Sequence, residues 1–298
     1  MSDVGTRKIG VLAHERKTLG DGLGQLRDAL AAAGHAHPPW RQVRRSKEAP
    51  KAVRKLLDDG IERLLVWGGD GTVRRCIDTI VDEGAKVEMG ILPAGTANLL
   101  AHALQIPIDL QESLDIALHG IPKPIDVGVM NGEAFVVMAG TGFDALLIRD
   151  ADEGKDRLGR LAYLKSGVRH LDSDGAEAKI GVDGQDWFEG HAACVLVGNA
   201  GRIMGGVRAF PDARLDDGRL DVGVVTAQHR RDWLRVGVRA LTGHIDESPL
   251  VDITQGTHLR VKLDHKMPWQ LDGGDRPPTK RFDVRVLPAR LPICVAAS

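Results

Sequence analysis

The chain has 298 residues, 43% hydrophobic and 27% charged, which suits a folded protein of about two domains and excludes a disordered, collagen-like or rod-like chain. Forty Lys and Arg against 41 Asp and Glu give a formal charge of -1, without the basic excess of a dedicated nucleic-acid binder, so no nucleic-acid partner is expected. Three widely separated cysteines, Cys76, Cys194 and Cys294, form no CxxC pair, which excludes a zinc cluster or a disulfide scaffold and points to a reducing, cytoplasmic setting.

From residue 7 short apolar runs alternate with stretches at helical spacing, the pattern of strands joined by helices in a parallel sheet. Ile9 to Ala13 is predicted as the first strand; Leu23, Leu26, Leu30 and Ala33 mark a helix that Gly34 stops. Ser46 is the expected N-cap of a second helix carrying Ala49, Ala52, Val53, Leu56 and Leu57 up to Gly60. A strand over Ile61 to Trp67, a helix through Val73, Ile77, Ile80 and Val81, a strand over Val87 to Leu92 and a short helix through Leu100, Ala101 and Leu104 follow. Near residue 122 the pattern changes. Asn131-Gly132 and Asp183-Gly184 each separate two strand-like runs, 124–130 from 133–139 and 178–182 from 185–189, and predict hairpins because both residues accept positive φ. Further strands are expected at 192–197, 219–225, 257–263 and 282–287, with one helix over 230–241. The N-terminal MSDVGTRK has no signal-peptide core, and no apolar run approaches the roughly 20 residues of a membrane span.

Gly68-Gly69-Asp70-Gly71-Thr72 lies where a predicted strand gives way to a helix. Glycines there let the backbone approach a phosphate, and the helix N-terminus offers N–H groups to it. A carboxylate in such a turn repels a phosphate unless a cation such as Mg²⁺ lies between them, which singles out Asp70. Leu92-Pro93-Ala94-Gly95-Thr96-Ala97-Asn98 is a second strand-to-helix turn, expected on the same carboxyl edge of the sheet. Three weaker features keep two readings each. Gly20-Asp21-Gly22-Leu23-Gly24 reads as a phosphate loop or a plain loop before a helix, and Arg41, Arg44, Arg45 and Lys47 as a contact for anionic headgroups or a solvated run. Arg231, Arg235 and Arg239, beside Trp233 and Leu234, read as a helix lying on an anionic surface or as part of the core.

The two glycine turns, with Pro124-Ile125-Asp126-Val127-Gly128, Gly140-Thr141-Gly142-Phe143-Asp144-Ala145, the run Pro211 to Asp221 and Gln270-Leu271-Asp272-Gly273, follow one another as landmarks do in the diacylglycerol kinase and sphingosine kinase catalytic-domain family. The chain resembles the bacterial soluble lipid kinase branch of that family over essentially its whole length. The resemblance implies an NAD kinase/diacylglycerol kinase-like α/β domain with a parallel sheet over 1–125, to which about 289–298 return. It implies an antiparallel β-sandwich domain for the lipid over 126–288, with substrates meeting in the cleft between the two. It further implies that Gly68, Gly69, Asp70, Gly71, Thr72, Gly95, Thr96 and Asn98 hold ATP, and that Asp70 and Asp126 hold the catalytic Mg²⁺ network. Asp217 matches a structural metal site completed by carbonyls near Arg214 and Arg219, or is a plain Asp-Asp-Gly turn.

Three departures from the family pattern follow. Leu99 stands where many relatives carry an Asp; no Asn-Pro follows the first strand; and the family's Asp-Gly-Glu, whose Glu is the general base, reads Asp272-Gly273-Gly274-Asp275. The base is therefore Asp275 or Asp272, or the enzyme is impaired. The expected activity is ATP-dependent phosphorylation of a lipid alcohol, with diacylglycerol as acceptor, by a cytoplasmic protein that visits the membrane peripherally. The alternatives are an NAD kinase-like enzyme, which GGDGT alone would equally suit, and a nucleotide- or lipid-binding relative without turnover. A homodimer stays open.

Overall fold

The computed structural model describes residues 7–142, 175–201 and 209–297; the landmark residues Phe143, Asp144 and Ala145 lie outside them. The chain forms two compact units, 1–125 with 289–298 and 126–288.

In the first unit strands β1 (Ile9–His14), β2 (Trp40–Val43), β3 (Arg63–Gly68) and β4 (Glu88–Pro93) pair in parallel in the order β4-β3-β1-β2. β1 and β3 are buried along their whole length, as parallel strands covered on both faces must be. β2 is an edge strand with three polar or half-buried positions out of four, and its sequence gave no strand signal. Helices α1 (Leu23–Ala32), α2 (Ala49–Asp58), α3 (Asp70–Asp82), α4 (Leu99–Ala103) and α5 (Leu110–His119) connect the strands. Leu26 and Leu30 of α1, one turn apart, enter a core with Val11, Leu65, Trp67, Leu92 and Leu114, and Gly34 with φ of 86° follows the helix end. Ser46 does not cap α2. It lies in a short 3₁₀ turn, Ser46–Glu48, and its hydroxyl is 3.0 Å from that of Thr72. Arg41 and Arg44 of the basic run are engaged locally by Asp59 and Glu15.

The second unit is antiparallel. It contains β5 (Ile121–Met130, from residue 126 on), β6 (Glu133–Phe135), β7 (Met138–Thr141), β8 (Ala176–Val182), β9 (Gln185–Ala192), β10 (Cys194–Gly198), β11 (Leu220–Val225), helix α6 (Arg230–Thr242), β12 (Val251–Gly256), β13 (His258–Leu271) and most of β14 (Gly274–Val295). The order β12-β11-β10-β7-β13-β14 carries the ladder, with β8 and β9 branching from β13 and β6 pairing β5. Among the described residues, three two-residue turns have positive φ at both positions: Asn131-Gly132, Asp183-Gly184 and Asp272-Gly273, the geometry that matches strand twist in a tight hairpin. Phe135, Ile180, Val197, Val222, Leu259, Leu271 and Val284 share the core. The run 133–139, expected as one strand, is interrupted at 136–137, where the N–H groups of Val136 and Val137 bond the Asp272 carboxylate instead of a neighbouring strand. The architecture is thus an α/β unit with a parallel sheet and an antiparallel β-sandwich unit, as the sequence leads one to expect.

The final residues of β14 belong to the first unit, where Ile293 pairs in parallel with Met89 of β4. Cys76, Cys194 and Cys294 are buried free thiols, and burial pushes the Cys294 thiol up to about 11.

Candidate functional site

The register that sets Gly68 opposite Pro93 makes the two glycine turns leave adjacent parallel strands at one carboxyl edge, where open α/β sheets bind ligands. Several contacts then lock the turns together. Ala94 N–H donates to the Gly68 carbonyl at 3.0 Å, and Leu99 N–H donates to Asp70 Oδ1 at 2.6 Å, so the first residue of α3 is bonded to the first residue of α4. Gly69 and Gly95 meet back to back: a Cβ on Gly95 would lie 2.4 Å from Gly69 Cα, and one on Gly69 would lie 2.9 Å from Gly95 Cα. No other residue permits that approach. Asn98, at φ of 46°, closes its own turn by accepting from Gly95 N–H at 2.9 Å and donating to the Gly95 carbonyl at 3.0 Å. Its amide is thus spent on orienting the loop. Burial pushes the Asp70 carboxyl above its ordinary value, against the N–H groups of Leu99 and Asn98, which favour the charged form. Thr72 is buried beneath the turn with its hydroxyl against Ser46.

The second unit gathers a separate polar cluster around residues 136–138. The buried Asp126 accepts from Gly218 N–H at 2.6 Å through Oδ2, and its carbonyl accepts from Asn199 Nδ2 at 2.8 Å. Asn199 Nδ2 also donates to the Val136 carbonyl at 3.1 Å. Asp272 accepts from Val136 N–H at 3.0 Å, Val137 N–H at 2.9 Å and Met138 N–H at 3.0 Å. Gln270 Oε1 accepts from Gly273 N–H at 2.8 Å. Among the described residues, buried Asn199 Oδ1 and Gln270 Nε2 find no partner, an arrangement that leaves one acceptor and one donor for a ligand or water. Asp275 faces Gln270 across the hairpin and is exposed, while the neighbouring Arg276 guanidinium pairs with Glu133 at 2.7 Å. The sequence reading assigned no role to Asn199 or Gln270. A polar residue closing the apolar run Cys194 to Gly198 was the available signal for Asn199.

Asp217 is exposed, and its Oδ1 accepts from Arg219 N–H at 3.0 Å. Nearby Asp221 is buried, and its carboxyl is pushed up to about 6, by burial first and then by the charges of Asp217 and Asp212, against a bond from Gln255. Among the described residues no group of three or more His, Cys, Asp or Glu is placed to hold a metal.

The chain is similar to known proteins. The diacylglycerol kinase catalytic domain family matches residues 11–130, and the YegS C-terminal NAD kinase beta sandwich-like domain family matches residues 137–295. The chain is 30% identical over 230 residues to a diacylglycerol kinase of Bacillus subtilis (strain 168), covering 76% of this chain and 75% of the relative. It is 29% identical over 260 residues to the "Probable lipid kinase YegS-like" protein of Klebsiella pneumoniae (strain 342), covering 86% and 84%. Among solved structures, a diacylglycerol kinase from Bacillus anthracis str. Sterne superposes with a TM-score of 0.72 at 20% identity over 97% of each chain. An NAD kinase from Archaeoglobus fulgidus reaches 0.51 at 9% identity, covering 97% of this chain and 93% of its own. The fold is therefore the one that diacylglycerol kinases and NAD kinases have in common. Within it, the chain belongs to the bacterial diacylglycerol kinase and YegS-like lipid kinase family.

Proposed function

We propose that this chain transfers the γ-phosphoryl group of ATP to the hydroxyl of a membrane lipid, with diacylglycerol as the acceptor. The observation that carries the reading is the interlocked pair of glycine turns with a buried carboxylate at the first position of α3. Gly69 and Gly95 let the two turns pack Cα against Cα, and Gly68 makes room for Thr72, so the turn before α3 stays tight and the helix N-terminus is left to favour the charge of a phosphate. Asn98 fixes the second turn in place before the nucleotide arrives, so little ordering is left for the binding step. Asp70 fits Mg²⁺, a hard ion usually held by one or two carboxylates together with substrate phosphates, because a carboxylate disfavoured by burial gains from a cation. Mg²⁺ bound with ATP would neutralise charge on the phosphates during transfer. Asp126, whose carboxylate accepts from Gly218 N–H, is the second unit's candidate carboxylate for Mg²⁺. A hairpin carboxylate, Asp275 or Asp272, takes the proton of the acceptor hydroxyl.

Labelled ATP offered with diacylglycerol and a panel of other lipid alcohols, with NAD, and with no acceptor tests this reading. Label is expected in a lipid phosphate and chiefly in phosphatidic acid. Label in NAD alone would replace the reading by an NAD kinase, and ATP binding without any transfer would replace it by a non-catalytic relative. No described helix is long and apolar enough to cross a membrane, and the proposed reaction takes place at the membrane surface, from the water side.

The Asp217 assignment makes a separate prediction. Asp221 has a native pKa above the ordinary carboxylate value, so its contribution to stability is complete below about 4 and is lost as pH rises to about 6. A divalent cation on Asp217 would offset the repulsion behind part of that loss. Millimolar Mg²⁺ or Ca²⁺ is expected to raise the melting temperature at pH 7.5 more than at pH 4.5, and Asp217→Asn is expected to lack the increment. An equal shift in both proteins would make Asp217 a turn residue only.

A further inference from the structure

Helix α6 packs against the second unit through Val236 and Ala240, which are buried, with Ile245 buried just beyond its end. The sequence alone leaves open whether this helix lies on an anionic surface, with Trp233 at the headgroups, or belongs to the core. The structure redistributes these roles. Trp233 is half-buried, and Arg239 is held by Glu247 at 3.2 Å. Among the described side chains of the helix, those that face outward are Arg231, Leu234, Arg235, Val238 and Thr242, spaced three and four apart along one helix face. Leu234 is 50% exposed and Val238 45%, two of the four large hydrophobic side chains left exposed among the described residues.

We propose that this face of α6 is a docking surface for a membrane bearing anionic lipids. The inference rests on the lipid kinase reading for its context and on the helix for its content. Scattered single apolar side chains on a surface need no explanation, but here two are stacked one turn apart and flanked by two arginines. Arg235 is 74% exposed and reaches Asp232 only at 3.6 Å; among the described residues no acid lies on the exposed face itself, and of the two acids just past the helix end Glu247 is engaged by Arg239 and Asp246 is exposed. The charge complements an anionic surface. Arginine stems extend along apolar material while their heads stay in water, which matches a helix seated at the headgroup boundary. Leu234 and Val238 offer too little area for a protein interface, which needs roughly 800 Å² per partner, whereas shallow insertion of a few aliphatic side chains suffices at a bilayer. Docking through α6 would hold the second unit at the surface in which the acceptor lipid resides.

The test is co-sedimentation of the full chain with vesicles of phosphatidylcholine containing phosphatidylglycerol, and with phosphatidylcholine alone. The wild type is expected to bind the anionic vesicles and to release as salt rises. The pair Arg231→Gln and Arg235→Gln is expected to weaken binding by about 25-fold, at about fivefold per arginine. The pair Leu234→Ser and Val238→Ser is expected to weaken it by at least about tenfold at the same salt. Melting temperature, and phosphorylation of a short-chain diacylglycerol dispersed in non-ionic detergent, should match the wild type in both double variants. Undiminished vesicle binding by either double variant overturns the proposal, as does failure of the wild type to bind. A lipid-free dimer that the serine variant converts to a monomer overturns it in favour of a second copy of the chain. Variants that bind like the wild type alongside active enzyme refute the docking surface and leave the kinase reading standing. Vesicle binding that depends on α6 without transfer to any lipid refutes the kinase reading and leaves the docking surface.

Discussion

Asp70→Asn is expected to lower kcat by about two to three orders of magnitude, the usual scale for loss of a charge-stabilising group, without lowering the melting temperature. Asparagine retains an Oδ1 that can accept the Leu99 N–H now bonded to the carboxylate at 2.6 Å, so the link between the two turns survives. What disappears is the negative charge. Burial raises the native pKa of Asp70, so its favourable contribution is present below the unfolded carboxylate pKa and is lost as pH rises through the native one. At pH 7.5 the folded protein therefore carries a cost that the amide removes, and the variant should melt at the wild-type temperature or above it. The Mg²⁺ concentration needed for half-maximal rate should rise, because the amide is a neutral and weaker ligand for a hard cation. Kinetics across a Mg²⁺ titration, with melting curves at the same pH, decide the matter. Wild-type rates at limiting Mg²⁺ would make Asp70 a turn residue, and a lower melting temperature would show that its charge supports the fold.

The parts of this molecule that local chemistry dictates were legible in the chain. Asn131-Gly132 and Asp183-Gly184 form their turns because residues of those types accept positive φ, whatever packs around them. Both glycine turns likewise sit at strand ends, as the alternation of apolar runs and helical spacing required. Helix α5 has a local signal too: Asp109 accepts from Glu112 N–H at 3.0 Å, an N-cap readable as an acid three residues before Glu. The extent of β13 and β14 is harder to read. Their pairing is irregular between Lys262 and Trp269, so alternation breaks off in the sequence while the ladder continues. Long-range decisions left no local trace. Nothing near residue 136 announces that Asp272, 136 positions away, takes its N–H, or that Asn199 bridges the carbonyls of Asp126 and Val136. The Ser46 hydroxyl looked like a helix cap because its tertiary partner, Thr72, lies 26 residues further on.

Asp275→Asn is expected to lower kcat by about two to four orders of magnitude, the usual share of general acid–base catalysis, with ATP affinity and melting temperature unchanged. The neighbouring Asp272→Asn should behave differently. Asp272 receives three backbone N–H groups from residues 136–138; an amide has one acceptor oxygen, and its NH₂ would face a donor. That substitution should cost about 1 to 3 kcal/mol of stability, with any loss of rate accompanied by a lower melting temperature. The carboxylate of Asp275, by contrast, is exposed on the strand that leaves the turn, free of such a structural task and able to approach a hydroxyl once substrate is bound. Gly274, where the family resemblance places Glu, offers an independent check. Its φ lies outside the left-handed region, and a Cβ there would come within 3.3 Å of the Arg276 guanidinium and of the Leu271 carbonyl, so a side chain requires the arginine and the backbone at Leu271 each to give by a few tenths of an ångström. Gly274→Glu in the Asp275→Asn background should restore at least about tenfold of the lost kcat, since any carboxylate within hydrogen-bond reach can accept the proton. Full kcat in Asp275→Asn, together with loss in an Asp272→Asn protein that melts normally, would assign the role to Asp272. If neither substitution slows an active enzyme, proton removal does not depend on this hairpin.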